Sequence, residues 1–408
     1  MRLLQNIFFS FLLIFLVVIN PWNSFGAWVQ KAPFGGEAKH RCTAFAIGNK
    51  GYIGGGHINS GILVTFKDYW QYDPATNSWS QIADFGGGYR YHSTAFGIGS
   101  YGYVGLGEND NSEYQNDFWK YIPLINTWVQ VASFPGEARR GACSFVIDNL
   151  GYVGTGQTES GYSVDFYSYN PSTNSWDTIS DFIGIARSSS VAFSNNGKGY
   201  VGTGHILGDD TKDFFEYDPI TDLWTQKADV GLTPRQDATG FVINGEGYIG
   251  TGNDVDATDN FDDFWKYDFD TDTWIQIEDF DGLGRRYMVS FVINNVAYCG
   301  TGTDGTNLRD FWGYYPLLSD AEFESQLSTI SVYPNPSDDK IYLEWILSKP
   351  NEEISLSIFD QSGKLILAQI MTENIFELNK NLIGTGCFFY RLQSNETIYH
   401  QGKFIITQ

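Results

Sequence analysis

Apolar and polar side chains alternate in short runs along most of this chain, and each run ends in Gly, Asn, Asp or Pro. Ser93-Thr94-Ala95-Phe96-Gly97-Ile98 is one run, and Gly99-Ser100-Tyr101-Gly102 breaks it. Tyr103-Val104-Gly105-Leu106-Gly107 follows, then a longer polar loop, then Asp117-Phe118-Trp119-Lys120-Tyr121, a turn and Trp128. Period-two alternation puts one face of each run in a core, so the pattern predicts four antiparallel strands, a to d in chain order. Pro74, Pro123, Pro171 and Pro219 fall in the c–d turn, where a fixed φ presets the turn without losing a ladder bond.

This unit recurs. Trp28, Trp79, Trp128, Trp176, Trp224 and Trp274 are each followed 24 residues later by the tyrosine of a Gly-rich strand: Tyr52, Tyr103, Tyr152, Tyr200, Tyr248 and Tyr298. Both series step by 51, 49, 48, 48 and 50 residues. Strand-rich repeats of ~40–50 residues build propellers, one four-stranded blade per repeat. The last repeat runs through Asp310-Phe311-Trp312 with no tryptophan after it, whereas Trp28 precedes any complete blade. Six tryptophans and six blades agree if residues near 27–32 supply strand d of the last blade, which also covers the exposed strand edges. The expected fold is all-β: a six-bladed propeller closed by the N-terminal strand. Its strand-b glycines have a packing reason, since blades crowd together, and no GK[ST] or helix follows them as a phosphate loop requires.

The double-glycine strands, the Tyr-x-Pro before a spaced Trp and the six-fold count resemble the kelch repeat family over about residues 27–318. The resemblance implies a scaffold used by enzymes, adhesins and protein-binding modules alike, so it speaks to fold more than to function.

From about Ser319 the repeat stops. Residues 319–328 read as a polar linker, and alternating strands with Asp/Gly turns over 329–408 predict a small β-sandwich. Val332-Tyr333-Pro334-Asn335-Pro336, Ile358-Phe359-Asp360-Gln361-Ser362-Gly363-Lys364, Gly386-Cys387-Phe388-Phe389-Tyr390-Arg391-Leu392 and Gly402-Lys403-Phe404-Ile405-Ile406 stand in that order at the C-terminus. Together they resemble the sorting domain of the type IX secretion system. That implies export, recognition by the type IX machinery, and surface attachment or release.

The N-terminus agrees with export: Arg2, the apolar run Ile7–Ile19 and the small residues Ser24 and Gly26 read as a secretory signal over residues 1–26. With 25 basic against 48 acidic side chains, a net charge of −23, the chain lacks the clustered Lys and Arg that nucleic-acid binding needs. Cys42, Cys143, Cys299 and Cys387 fit neither a zinc pattern nor a disulfide framework, and the first three, each inside a strand of a different repeat, read as buried hydrophobes.

Two further constants point to a working face. Asp68, Asp117, Asp165, Asp213 and Asp263 stand 11 residues before a tryptophan, and Lys39, Arg90, Arg139, Arg187, Arg235 and Arg285 stand 11 after one. All length variation falls between Tyr and Asp, with gaps of 16, 14, 13, 13, 15 and 12 residues. That segment is the b–c loop, which shares a face with the d–a connections, and variation on one face marks a binding side. A ring of six basic groups could focus a field on an anionic ligand such as an acidic sugar or peptide carboxylate. Alternatively, each pairs with one Asp as a repeated structural ion pair, and strict repetition of both signs favours this reading. Residues that break the repeat are better ligand candidates: Arg41, Arg140, Arg286, Tyr91, His92 and Tyr287.

Other chemistry is sparse. The tryptophans are absorbed by strands c and d, by the signal (Trp22) and by the tail (Trp345), which leaves no spare sugar platform. His40, His57, His92, His205 and His400 show no metal-ligand spacing, and no cofactor is expected. Asp254, Asp256, Asp259 and Asp262 cluster in one loop without the Gly and closing Glu of an EF-hand; calcium there is the weaker reading against a solvated acidic loop. No catalytic residue is assigned. The expected function is a secreted or cell-surface, non-enzymatic module that binds a protein or glycan on its b–c face. A carbohydrate-active propeller is the alternative. Sialic acid mutarotases are also secreted six-bladed kelch proteins, but no motif here maps onto theirs and the sorting tail departs from their plan. A structural component of the cell-surface layer is a third option.

Overall fold

A computed structural model of the chain describes residues 27–59, 63–255, 260–316, 327–347, 354–360, 364–371, 374–394 and 397–407. The predicted signal, 1–26, and most of the predicted linker lie outside them.

Six four-stranded antiparallel sheets form the blades of a propeller. Blade 1 is Thr43–Ile47, Lys50–Gly54, Tyr69–Asp73 and Ser78–Gln81. Blades 2 to 5 repeat this order. Blade 6 takes strands a to c from Val289–Ile293, Val296–Gly300 and Phe311–Tyr315, and its strand d is the N-terminal segment Ala27–Gln30, with Trp28 opposite Tyr314.

The constants of the repeat now have physical meanings. Each strand-d tryptophan fills the wedge between two blades: Trp128 lies about 5 Å from the rings of Tyr69, Phe85 and Tyr121. The residue two before it, Asn126, adopts φ 47° and accepts hydrogen bonds from Tyr121 Oη (2.9 Å) and from the backbone N–H of Ala83 (2.8 Å). One left-handed turn residue thus ties its own blade to the preceding one. Gly102 shows why glycine precedes five of the six tyrosines, with Ala297 before the sixth: a Cβ at 102 would stand 2.1 Å from the Phe45 ring of the neighbouring blade.

The inner strands enclose an axial cavity of about 190 Å³, lined chiefly by small side chains including Thr43, Thr94, Ser144, Thr239 and Ser290. Thr94 donates to Ser144 (2.8 Å) and Thr239 to Ser290 (2.9 Å), so these hydroxyls satisfy one another in pairs.

The tail is a β-sandwich. Leu327–Tyr333, Lys340–Leu347 and Ile375–Asn379 form one sheet. Ile354–Phe359, Leu365–Met371, Gly386–Ser394 and Thr397–Ile406 form the other. Ile341, Leu343, Trp345, Leu356, Phe388 and Phe404 fill the core between them.

Candidate functional site

The six basic residues of the repeat are structural. Lys39, Arg90, Arg139, Arg187, Arg235 and Arg285 are each at most 2 % exposed, and each meets the carboxylate that opens strand c of its own blade. Arg235 is typical: its Nη1 and Nη2 reach Asp263 at 2.7 and 2.8 Å, and Nη1 also donates to the Thr251 carbonyl at 3.1 Å. Burial works against ionisation of Asp263, but the bonds from Arg235 and Trp265 prevail and hold its pKa below the usual value. The backbone is used as well. A b–c loop glycine donates to the carbonyl of the next blade's basic residue all round the ring, from Gly56 to Arg90 (2.8 Å) through to Gly302 and Lys39 (3.1 Å). The side chains brace their own blades, the backbone carbonyls link neighbouring ones, and none of the six side chains is exposed to a ligand.

What the repeat varies is what surrounds the axis. Two residues after each basic constant stand Arg41, His92, Gly141, Ser189, Asp237 and Tyr287, six different residue types at one structural position. All six have φ between 55° and 61°, the left-handed region. Their backbones form a chain of hydrogen bonds around the axis: His92 to Arg41, Gly141 to His92, Ser189 to Gly141, Asp237 to Ser189 and Tyr287 to Asp237, at 2.8–3.3 Å. A second circle lies one residue earlier: His40, Tyr91, Arg140, Ser188, Gln236 and Arg286 pair as isolated bridges or short strands with His57, Glu108, Gln157, His205, Asn253 and Thr303 of the b–c loops. All four propeller histidines therefore lie on this face.

Side chains from opposite blades meet over the axis. His92 Nε2 is 3.8 Å from Asp237 Oδ1 and 3.3 Å from Ser189 Oγ. Burial lowers the His92 pKa, while the adjacent His92 ring and the charge of Arg41 outweigh burial and hold the Asp237 pKa below its usual value. Arg41 stacks 4.3 Å from the Tyr287 ring and donates to its hydroxyl. Arg41 Nη1 also lies 2.9 Å from His57 Nε2. Because a guanidinium only donates, that nitrogen accepts, and His57 carries its proton on Nδ1. His40 Nε2 lies 2.8 Å from the same atom, and His40 Nδ1 donates to Asn307 Oδ1 at 2.8 Å. Burial, followed by nearby charge, lowers His57 to about 2; burial chiefly lowers His40 to about 4.

The far wall of the bowl differs. Arg140 donates to Glu108 (2.6 Å) and to Gln157 Oε1 (2.9 and 3.0 Å). Asp210, 4 % exposed, accepts from His205 Nδ1 (2.7 Å) and from the Val255 N–H (2.6 Å). Burial raises Asp210, against the bonds from His205 and Val255. His205 is 22 % exposed at its side chain.

Among the described residues, fourteen buried side-chain nitrogen or oxygen atoms lack a hydrogen-bond partner. Six of them, Arg41 Nε, His57 Nδ1, His92 Nδ1, Asp237 Oδ1, Asn253 Oδ1 and Arg286 Nε, belong to this one site.

Of the residues singled out in the sequence, Arg41, Tyr91, His92, Arg140, Arg286 and Tyr287 are brought together here. Asp237, Ser189, Glu108, His57 and the His205–Asp210 pair were missed. Counting two residues on from every basic constant would have found Asp237 and Ser189. Of the acidic loop, Asp256 and Asp259 lie outside the described residues. Among those described, no three His, Cys, Asp or Glu side chains converge as a metal ion would need. The Cys42, Cys143 and Cys299 thiols are buried and free, and burial raises each one's pKa.

Comparison with known proteins divides the chain. Residues 331–407 match the family described as a secretion system C-terminal sorting domain. The tail is a type IX sorting domain. The chain is therefore handled by the type IX machinery and reaches the cell surface or the extracellular space. No curated protein matches it. The solved structure of YjhT is similar, with 18 % identity and a TM-score of 0.58, covering 71 % of this chain and 96 % of that one. At that identity the likeness carries the propeller fold and no function. Altogether 439 solved chains resemble this one, a breadth that makes the scaffold a poor guide to chemistry. Among the described residues, no helix is long and apolar enough to cross a membrane.

Proposed function

We propose that the secreted propeller is a binding module that takes a small polar ligand over its axis on the b–c face. The carrying observation is the concentration there of buried, unpaired polar atoms: Arg41, Arg286 and His57 offer N–H groups, His92 a ring nitrogen, and Asp237 and Asn253 oxygens. Buried polar atoms are costly unless bonded; six gather at this one site, whereas in the Arg–Asp ring beneath only Arg90 Nε and Arg235 Nε lack partners among the described residues. The mixture suits a hydroxylated ligand that also bears an anionic group, such as an acidic saccharide. Arg41 and Arg286 would take the anion, with Tyr287 as a flat wall beside it. Isothermal titration of the full chain against neutral sugars, uronic and other acidic sugars and short peptides tests this. Binding of an acidic sugar that Arg41→Ala abolishes supports it; uniform silence refutes it.

The His205–Asp210 pair favours a second reading, a carbohydrate-active propeller. A buried carboxylate that orients an imidazole with its other nitrogen toward solvent is the arrangement of a general base. Turnover of any bound sugar, lost in His205→Asn, would establish it.

A further inference from the structure

The axial site is not equally crowded on all sides. Arg41, His92, Asp237 and Tyr287 of the inner circle stand on blades 1, 2, 5 and 6, whereas blades 3 and 4 carry Gly141 and Ser189. Packing does not demand a glycine there. A Cβ at 141 would meet Ser188 Cβ, Ser189 N and His92 Cε1 at 3.4–3.5 Å, ordinary contacts, and the same left-handed backbone carries five other residue types around the ring. Blades 3 and 4 are thus the side on which the inner circle bears no long side chain.

The wall outside that side is aromatic. The six b–c loops contain two tyrosines, Tyr114 and Tyr162, and they stand in the neighbouring blades 2 and 3. Backbone bridges set them in one row: Tyr114 pairs with Glu108, Gln115 with Arg139, Arg140 with Gln157, and Gln157 with Tyr162. Arg140 lies 5.4 Å from the Tyr114 ring, and the Tyr162 ring meets His205 of blade 4 edge-on at 5.7 Å. Both tyrosines are half-buried, and neither joins a blade core. Charge on this wall is already met, since Arg140 pairs with Glu108 and His205 is bonded to Asp210, while Glu113, Glu159 and Asp209 are exposed beside them. A second anionic group would gain nothing here. A neutral hydroxylated ring would find aromatic faces together with phenolic, amide and imidazole hydrogen-bonding groups.

We infer that the axial ligand is a saccharide of at least two residues, an acidic one held at Arg41 and Arg286 and a neutral one beside it against Tyr114 and Tyr162. The inference rests on the axial reading given above and adds the length of the ligand and the order of its parts.

The test is isothermal titration of the full chain with glucuronic and galacturonic acids, each free and each linked through its anomeric carbon to one neutral hexose. The linked forms are expected to bind about tenfold or more tighter than the free acids. Tyr162→Ala and Tyr114→Ala should each remove most of that gain and leave the affinity for the free acids unchanged, because neither tyrosine belongs to the two inner circles. Tyr162→Phe, which keeps the ring, should retain the gain. Circular dichroism checks the fold of each variant, and the two alanine variants test the wall independently. Equal affinity for free and linked acids, or a gain that survives in both alanine variants, would overturn the inference and leave the axial reading standing. Silence towards every free and linked acid would instead refute the axial reading, and this inference with it.

Discussion

Asp237 and His92 come from opposite blades and meet over the propeller axis, Oδ1 to Nε2, at 3.8 Å. That distance is too long for a hydrogen bond, and Asp237 Oδ1 has no other partner among the described residues. An ionised carboxylate buried with incomplete bonding destabilises the fold it sits in, so its retention points to a use outside stability. Asp237→Asn keeps the shape and removes the charge. The melting temperature is expected to stay level or rise, while affinity for an axial ligand falls about tenfold or more, the loss expected for a hydrogen bond to a charged group. A melting temperature that drops by many degrees would instead make Asp237 a structural residue.

Acid sensitivity should begin above the carboxylate range. His40 and His57 have folded pKa values of about 4 and about 2, below their ordinary 6.5. As pH falls below 6.5 the unfolded chain takes up protons that the folded chain refuses, so stability declines from about pH 6.5 towards 4. Each histidine contributes up to about 1.4 kcal/mol per pH unit in that window. Asp165, Asp263 and Asp310, held low by their arginines against burial, stabilise above 3.8 and lose that contribution only at lower pH. Asp210, raised by burial, binds its proton first in the folded state and acts in the opposite sense near the carboxylate range. Urea midpoints at pH 7, 6 and 5 check this, and His40→Asn should flatten the decline.

How much of this was legible in the sequence depends on which residues repeat. Trp28 and its five counterparts, the tyrosines 24 residues on and the Asp and basic constants have fixed spacings, and fixed spacing reports backbone geometry. The blade count and the closure by Ala27–Gln30 follow from them. That Arg235 meets Asp263 was favoured by the strict repetition of both signs, but its burial was not legible, because spacing says nothing of side-chain direction. Arg140 and Tyr287 stood out as deviations next to a constant. His57, Glu108 and Asp210 did not, because they lie in b–c loops of varying length, where only the folded bridges to His40, Tyr91 and Ser188 set a register.

The buried ion-pair ring should behave as structure. Arg187, fully buried, pairs with Asp213 and donates to the Thr203 carbonyl at 3.0 Å. Arg187→Ala leaves a carboxylate and a carbonyl without their donors and is expected to cost about 3–5 kcal/mol in urea denaturation. Arg187→Lys should cost less, since Lys39 holds Asp68 in blade 1 with a single 2.5 Å contact. A wild-type midpoint for Arg187→Ala would contradict the assignment and reopen a ligand role for the ring.

The seam between the chain ends should be the propeller's weakest join. Trp79, Trp128, Trp176, Trp224 and Trp274 each donate Nε1–H to a carbonyl near the end of the preceding blade, at 2.9–3.1 Å. Trp28 Nε1 has no such partner, and no c–d turn joins its strand to Phe311–Tyr315. The closing strand is held by four residues of ladder and by the Trp28 ring, which lies 4.8–4.9 Å from those of Phe264, Phe280 and Tyr314; just beyond it, Lys31 and Ala32 donate to Phe311 O and Asn77 Oδ1. Trp28→Ala removes the ring and leaves the ladder and the bonds of Lys31 and Ala32, for an expected loss of about 3–5 kcal/mol. Hydrogen exchange locates the effect: Phe311–Tyr315 should exchange faster in Trp28→Ala while Phe166–Asn170, on the far side of the ring, stays protected. An equal rise in both would mean that the six blades unfold as one unit and that closure is no weaker than any other blade contact.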